Sequence, residues 1–344
     1  MKTVFVAGAT GLVGSQVARI LDTKGHRVIA LVRDSSKRIE GVSENVRYVQ
    51  GDLRSPHLFA GELKGVDVVV SSANGIIPES RGVNAERVND SYEAFITACE
   101  AAGVDRFVQS SVPSHRIEST VPELGGKRAI EEWLRASAMQ SFVVRNPAFM
   151  DTWLVMNGFR EAENRDAAAT TKREFGFMKR WLWMVGNLAS KHGFFIAPGG
   201  ASHGSVLIAS RDVAEMMAAC VDHETYDDLL IEAGGPQWVS WREIADIIAA
   251  RVGRPRLRII PLPAWTARML QLAATPFSPP VANVFGLIRL VAKWQPRWDS
   301  KPTVELLNLP PQWTVSDYLD AQTSPPTTTS DRTSARTSSQ LVSM

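Results

Sequence analysis

The sharpest chemical signal in the chain is Gly8-Ala9-Thr10-Gly11-Leu12-Val13-Gly14. It follows a β-branched and aromatic run, Thr3 to Ala7, and opens a helical pattern, Leu12 to Lys24. In that setting the glycines permit a tight strand-to-helix turn, close approach of the backbone to a diphosphate and close helix packing. The free amides and dipole of the helix N-terminus favour negative charge. Gly8, Thr10, Gly11, Leu12, Val13 and Gly14 are therefore the expected phosphate-binding residues. A glycine-rich turn with no ligand is the bland alternative. About 20 residues further on, where the adenosine ribose of a dinucleotide is expected, the chain reads Leu31-Val32-Arg33-Asp34. Arg33, with Lys37 or Arg38, suits charge-assisted contacts to a 2′-phosphate, whereas Asp34 suits a free 2′-hydroxyl. The place of Arg33 directly after the strand favours NADP, with NAD as the other possibility. Gly51-Asp52-Leu53 could frame the adenine edge, and Asp52 could equally cap a turn.

These residues need a scaffold, and the periodicity supplies one. Thr3 to Ala7, Arg27 to Val32, Val46 to Gln50, Val66 to Ser72, Arg106 to Ser111 and Ser141 to Arg145 read as strands, largely without polar alternation, as expected for strands buried on both faces. Leu12 to Lys24, Asn84 to Ala102 and Glu123 to Ala138 read as the helices between them. The expected fold is α/β: a Rossmann-type, doubly wound parallel sheet. After Pro147 the pattern changes to longer helical stretches, with short strands at Phe194 to Ala197, Ser205 to Ala209, Leu229 to Glu232 and Leu257 to Ile260. Residues 1–150 are the expected cofactor-binding domain, 151–321 a smaller α+β substrate lobe partly interleaved with it, and 322–344, rich in Ser, Thr and Pro, a disordered tail.

In order along the chain, the glycine turn, the Leu31-Val32-Arg33 strand end, Gly51-Asp52-Leu53, Val108-Gln109-Ser110-Ser111, Val144-Arg145-Asn146-Pro147, Arg211-Asp212-Val213-Ala214 and Gly234-Gly235-Pro236 resemble the atypical short-chain dehydrogenase/reductase superfamily. The likeness is to its NmrA-like and isoflavone-reductase-like branches, and it covers about residues 1–320. The resemblance implies that Ser71, Ser72 and Ala73 approach the nicotinamide half of a dinucleotide, that Ser110 and Ser111 lie beside the reacting carbon, and that Pro147, Ala148 and Phe149 border the nicotinamide ring. It also points to Lys127, since extended members of the superfamily place a Tyr four residues before such a Lys, one helical turn away. Here Glu123 occupies the tyrosine position, and none of Tyr48, Tyr92, Tyr226 and Tyr318 precedes Lys127 at helical spacing. The branches named commonly keep the Lys without the Tyr. Lys127 could then hold the ribose or stabilise a developing oxyanion. As an exposed lysine, it would instead pair along the helix with Glu131.

The expected catalytic residues are Lys127, Ser111 and His115. His115, the lone histidine of its loop, titrates in the right range for a proton donor, with Ser114 and Glu123 as further polar candidates. His26, His57, His192, His203 and His223 show no metal-ligand spacing, so no metal is expected.

Over 344 residues, 38 basic against 36 acidic side chains give +2, which offers no bulk attraction for nucleic acid or anionic lipid. The 44% hydrophobic content supports a sizeable core. Cys99 and Cys220 alone exclude a disulfide framework, and the N-terminus lacks a signal-peptide pattern, so a reducing, cytoplasmic setting is expected. The longest apolar run, Val281 to Trp294, contains Arg289 and Lys293 and reads as a helix of the fold, not a membrane span. Phe177 to Val185 sets Trp181 and Trp183 beside Lys179 and Arg180, which suits an apolar pocket, a protein contact, a peripheral membrane contact or simply a lobe helix. The combined expectation is an NADP-preferring reductase passing hydride to a small apolar carbonyl, enone or quinone-like acceptor. The alternative is a non-catalytic NAD(P)-binding redox sensor or assembly factor. A nucleotide-sugar epimerase needs the Tyr–Lys pair more strictly and ranks last.

Overall fold

The computed structural model describes residues 1–73, 85–115, 121–172, 176–225 and 227–323. Six strands come from the first half: β1 (Thr3–Ala7), β2 (Arg27–Val32), β3 (Arg47–Gln50), β4 (Val68–Ser71), β5 (Arg106–Ser111) and β6 (Gln140–Arg145). Between them lie α1 (Leu12–Thr23), α2 (Ala85–Ala101) and α3 (Pro122–Ala136). The second half contributes α4 (Met150–Met156), α5 (Gly176–Val185), β7 (Phe194–Pro198), β8 (Gly204–Ser205), α6 (Ser210–Asp222), β9 (Leu229–Glu232), β10 (Val239–Ser240) and α7 (Trp241–Arg251). It ends with β11 (Arg258–Leu262), α8 (Ala264–Ala274), α9 (Pro279–Lys293), α10 (Lys301–Leu306) and α11 (Val315–Thr323).

The main sheet is a seven-stranded parallel Rossmann sheet in the order β3-β2-β1-β4-β5-β6-β9. The chain winds outward from β1 in one direction to β3, then returns to place β4 on the other side of β1. This reversal opens a crevice at the carboxyl ends of β1 and β4, where ligands of such sheets bind. Strand β9 and helix α6 come from beyond residue 150 yet belong to this layer, β9 pairing with β6 from Phe142↔Leu229 to Arg145↔Glu232.

Both faces of the sheet are covered, which explains its unbroken Val and Phe runs. On one face Val13, Val17 and Leu21 of α1 meet Val213 and Met217 of α6 over Val6, Val108 and Val144. On the other, Phe5, Phe59, Phe95 and Phe107 pack ring to ring beneath α2 and α3, with centroids 5.7 to 6.3 Å apart. Each such ring contributes about 1.5–3 kcal/mol through burial. A third core gathers residues after 150 around Trp153, Phe195, Trp241, Ile244, Phe285 and Tyr318. There α7 starts at a capping box, Ser240 with Glu243, and β7 pairs in parallel with β11.

Several boundaries differ from the sequence expectation for local reasons. Strand β4 is shorter at both ends: Val66 closes a turn onto Leu63 O at 3.1 Å, and Ser72, after donating to Ala7 O at 3.0 Å, turns toward the glycine loop. The strand expected at Ser205 to Ala209 keeps only Gly204–Ser205, while Ile208 forms an isolated bridge with Phe149. Gln322 and Thr323, expected in the tail, close α11. Residues 324–344, with the rest of that tail, lie outside the described residues, as does Tyr226. Among the described residues no helix is long and apolar enough to cross a membrane. Cys99 and Cys220 are both buried and free.

Candidate active site

The glycine turn sits at the switch point. Gly8 has φ +80°, the left-handed region, and a Cβ there would lie 2.7 Å from Ala73 N. A Cβ on Gly14 would lie 2.2 Å from Gly8 O and 2.7 Å from Ser72 Oγ. Ser72 and Ala73, at the end of β4, are thus pressed against the turn and leave no room for a side chain. Gly11 is the extended N-cap of α1 (φ −86°, ψ 169°), with no side-chain cap and no acidic residue in the first turn. A helix start left uncapped by its own side chains, beside a turn that a methyl group would fill, fits a diphosphate.

Past the ends of β2 and β3, Asp34 and Asp52 are already engaged. Asp34 accepts from Ser36 N at 2.9 Å and Ser36 Oγ at 2.7 Å. Those hydrogen bonds hold its carboxyl below the usual range. Asp52 accepts both from Arg54 Nε (3.0 and 3.1 Å) and from Arg54 Nη2 (2.5 Å). Arg54 first, and the charge of Arg33 last, lower the Asp52 carboxyl. The backbone amide of Arg54 also bonds Asp52 Oδ1 at 2.9 Å, so the turn-capping role holds in the structure. Arg33 is exposed, Leu53 buried. Arg54, which the sequence reading did not single out, adds a second guanidinium to this edge.

Lys127 lies inside the cleft and not on the helix surface: it is 2% exposed, which rules out the solvated alternative. Its Nζ donates to Ser110 O at 3.2 Å and to Ala73 O at 3.5 Å, spanning the ends of β5 and β4. Burial pushes the amine down to about 8, the nearby Glu131 opposing and Arg128 adding to the fall.

The helix bearing Lys127 is fixed through Glu131, one turn further on. Ser111 Oγ, Arg128 Nη1 and Arg145 Nη2 each donate to the Glu131 carboxylate at 2.5 Å. Arg145 also reaches Glu232 of β9 at 3.0 Å. Burial raises the Glu131 carboxyl, but the bonds from Arg145 and Ser111 and the charge of Arg128 outweigh it and hold the group low. Ser111, expected beside the reacting carbon, thus spends its proton on Glu131. Ser110 Oγ instead donates to Asn146 Oδ1 at 3.0 Å, just before Pro147 and Phe149, both half-buried.

Tyr92 arrives from α2. Its fully buried hydroxyl lies 2.7 Å from Ser71 Oγ and donates to Ala73 O at 2.9 Å, the carbonyl that Lys127 also approaches. Burial pushes this phenol up to about 12. His115 packs its ring against Trp294 of α9, centroids 5.1 Å apart. Leu290 of α9 packs with Val121 and Leu124 at the start of α3, with Val112 and Trp294 against them, so α9 forms an apolar wall beside the loop after β5. Ser114 is exposed. The side chain of Glu123 lies outside the described residues. The sequence names Tyr92, Glu131, Asn146 and Trp294 without these roles, because each takes its part in the site through a tertiary contact. Among the described residues no His, Cys, Asp and Glu cluster could hold a metal.

A switch-point crevice, a glycine turn on an uncapped helix and a buried lysine across from it define a nucleotide-binding α/β protein. The chain belongs to the NmrA-like family, whose model matches residues 1–264. It is 28% identical over 252 residues to an NAD(P)H azoreductase of Xenophilus azovorans, covering 73% of this chain and 74% of that one. It is 27% identical over 137 residues to a photosystem II assembly factor of Cyanophora paradoxa, 40% of this chain and 42% of the relative, so less than half of that protein is spanned. Among solved structures it resembles an NADPH-dependent quinone oxidoreductase of Escherichia coli complexed with NADPH, with a TM-score of 0.66 at 16% identity over 92% of this chain and 99% of the other. At that identity the likeness is one of fold.

Proposed function

We propose that this chain is an NADPH-preferring oxidoreductase that reduces a small, largely apolar acceptor of the carbonyl, enone, quinone or azo type. The observation that carries the reading is Lys127: a buried ammonium held by Ser110 O and Ala73 O inside the cleft, on the helix whose Leu124, three residues earlier, shares an apolar cluster with Leu290. When bound, the nicotinamide would supply the hydride. Gly8, Thr10, Gly11, Leu12, Val13 and Gly14 would hold the diphosphate, Arg33 with Arg54 the 2′-phosphate, and Asp52 and Leu53 the adenine side. Ser72, Ala73, Ser110, Pro147 and Phe149 would border the nicotinamide half. Lys127 would order the ribose hydroxyls or hold charge that develops on the acceptor oxygen. The names of the azoreductase relative and of the quinone oxidoreductase neighbour support this acceptor class.

Calorimetry with NADPH and NADH, followed by an acceptor panel, tests the reading. We expect saturable NADPH binding, and Arg33→Ala to weaken it by about 10–100-fold, the worth of one charge-assisted hydrogen bond, while NADH affinity changes little. Absence of saturable binding overturns the proposal. Tight binding with no oxidation of NADPH by any quinone, enone or azo dye favours a second reading, an NAD(P)-binding assembly or regulatory factor. The missing Tyr four residues before Lys127 and the assembly-factor relative speak for that reading.

A further inference from the structure

Helix α8 carries an apolar stripe on its outer face. Trp265, Met269 and Leu272, spaced i, i+4, i+7, are 70%, 61% and 57% exposed. Phe277, just past the helix, is 85% exposed. Of the helix's residues only Ala267 is buried. Its inner side meets α9 closely, since a Cβ on Gly286 would lie 2.9 Å from Gln271 Nε2. Single exposed apolar residues are ordinary on a protein surface, but four large ones in a row, two of them aromatic, mark an interaction surface.

The charge of the chain segment that carries the stripe points to what it meets. Between Asp246 and Asp299 the chain contains eight basic residues, Arg251 to Arg297, and no acidic one. Arg256, Arg258, Arg268 and Lys293, on α8 itself or on the segments flanking it, are exposed. The near-neutral total of +2 conceals this segregation, and the remainder of the chain is net acidic. The expectation drawn from the bulk charge does not address this local segregation. A second copy of the chain would set this basic segment against itself, a repulsion that opposes self-association. An anionic bilayer offers both halves of the complement: acyl chains for the stripe, and headgroup phosphates for the exposed Arg and Lys of the same segment. Tryptophan favours that boundary, and the 11 residues of α8 are too few to span a membrane.

We propose that α8 and Phe277 form an in-plane docking surface for an anionic lipid bilayer. The surface is independent of the chemistry assigned to the cleft. Trp183 is also exposed, whereas Trp181 turns inward, its Nε1 donating to Met156 O at 3.0 Å and its ring 6.5 Å from Phe285. The contact considered for the Trp181 and Trp183 pair thus cannot involve both faces of α5, and α8 provides the continuous stripe.

Flotation of the full chain with vesicles of phosphatidylcholine alone, or of phosphatidylcholine with about 30% phosphatidylglycerol, tests this in low and high salt. We expect at least about tenfold more protein on the anionic vesicles and most of that excess lost in high salt. The Trp265→Ser/Phe277→Ser variant should lose about tenfold in binding with an unchanged melting curve. Should that variant fold poorly, Arg268→Glu/Lys293→Glu should abolish the preference for anionic vesicles. Equal or absent flotation with both vesicle types overturns the proposal. So does a micromolar dimer, seen by sedimentation velocity, that Trp265→Ser dissociates.

Discussion

Lys127 has two carbonyl acceptors and almost no water, so its ammonium is tolerated more than it is stabilised. Burial places its pKa at about 8, below the 10.5 of a solvated lysine. The ordering costs stability while the group is charged in the folded chain, and the cost fades as pH rises through 8 toward 10.5. The same titration should be visible in turnover. If the ammonium orders the ribose or the acceptor oxygen, kcat/KM for NADPH oxidation falls about tenfold per pH unit above 8. Lys127→Met should give a flat profile at a rate lower by about two orders of magnitude. A wild-type profile that stays level from neutrality through that region would show that the protonated amine is not needed. Tyr92 cannot take the place of the missing tyrosine acid. Its phenol, at about 12, lies 2.7 Å from Ser71 Oγ and gives its proton to Ala73 O, so its task is to hold the end of β4 against the glycine turn.

Helix α3 presents Lys127 correctly only because Glu131 locks it to β5, β6 and, through Arg145, to β9. Removing the carboxylate by Glu131→Ala leaves two guanidinium groups and a serine hydroxyl in a largely buried space. Breaking a buried pair in this way costs about 3–5 kcal/mol, which for a chain of this size lowers the melting temperature by roughly 5 °C. A thermal melt checks it, and a drop of only a degree or two would make the hub a surface ornament. The sequence carried α3 and the strands plainly, because Val and Phe runs and apolar helical spacing are local signals. It pointed to the glycine turn for the same reason, and to Lys127 through the family resemblance. It did not carry Glu131, because Lys127-Arg128 followed by Glu131-Glu132 has the look of solvent pairing along one helix, and only the tertiary positions of Ser111 and Arg145 turn that helix face inward. Trp294 was opaque in the same way: Val281 to Trp294 reads as an apolar helix, but what it covers, the loop bearing Val112 and His115, lies far away in sequence.

At the scale of the whole molecule, a buried polar seam joins elements after residue 150 to the layer of α1 and α6. Asp151 of α4 accepts from Ser210 N at 2.8 Å and Ser210 Oγ at 2.9 Å, and from Asn164. Gln16 of α1 donates to Ser210 Oγ at 2.9 Å, and Arg19 pairs with Asp166. Asp212 of α6 accepts from Trp313 N at 3.0 Å, tying down the segment that leads into α11. Burial raises both Asp151 and Asp212, the latter to about 6, and the bond from Trp313 and the charge of Arg211 only partly oppose it, with Asp151 and Glu215 adding like charge. Because the folded-state value lies above the unfolded 3.8, the neutral carboxyl is favoured on folding, and that gain is lost as pH climbs from about 4 through 6. A rise of two units corresponds to about 3 kcal/mol carried as a penalty at neutral pH. Asp212→Asn keeps an oxygen for Trp313 N and removes the charge. It should therefore melt several degrees above the wild type at pH near 7.5, and at nearly the same temperature near pH 4. A difference in melting temperature that does not shrink with acidity would assign the effect to packing in place of ionisation, and would leave Asp212 as a hydrogen-bond acceptor whose charge carries no penalty.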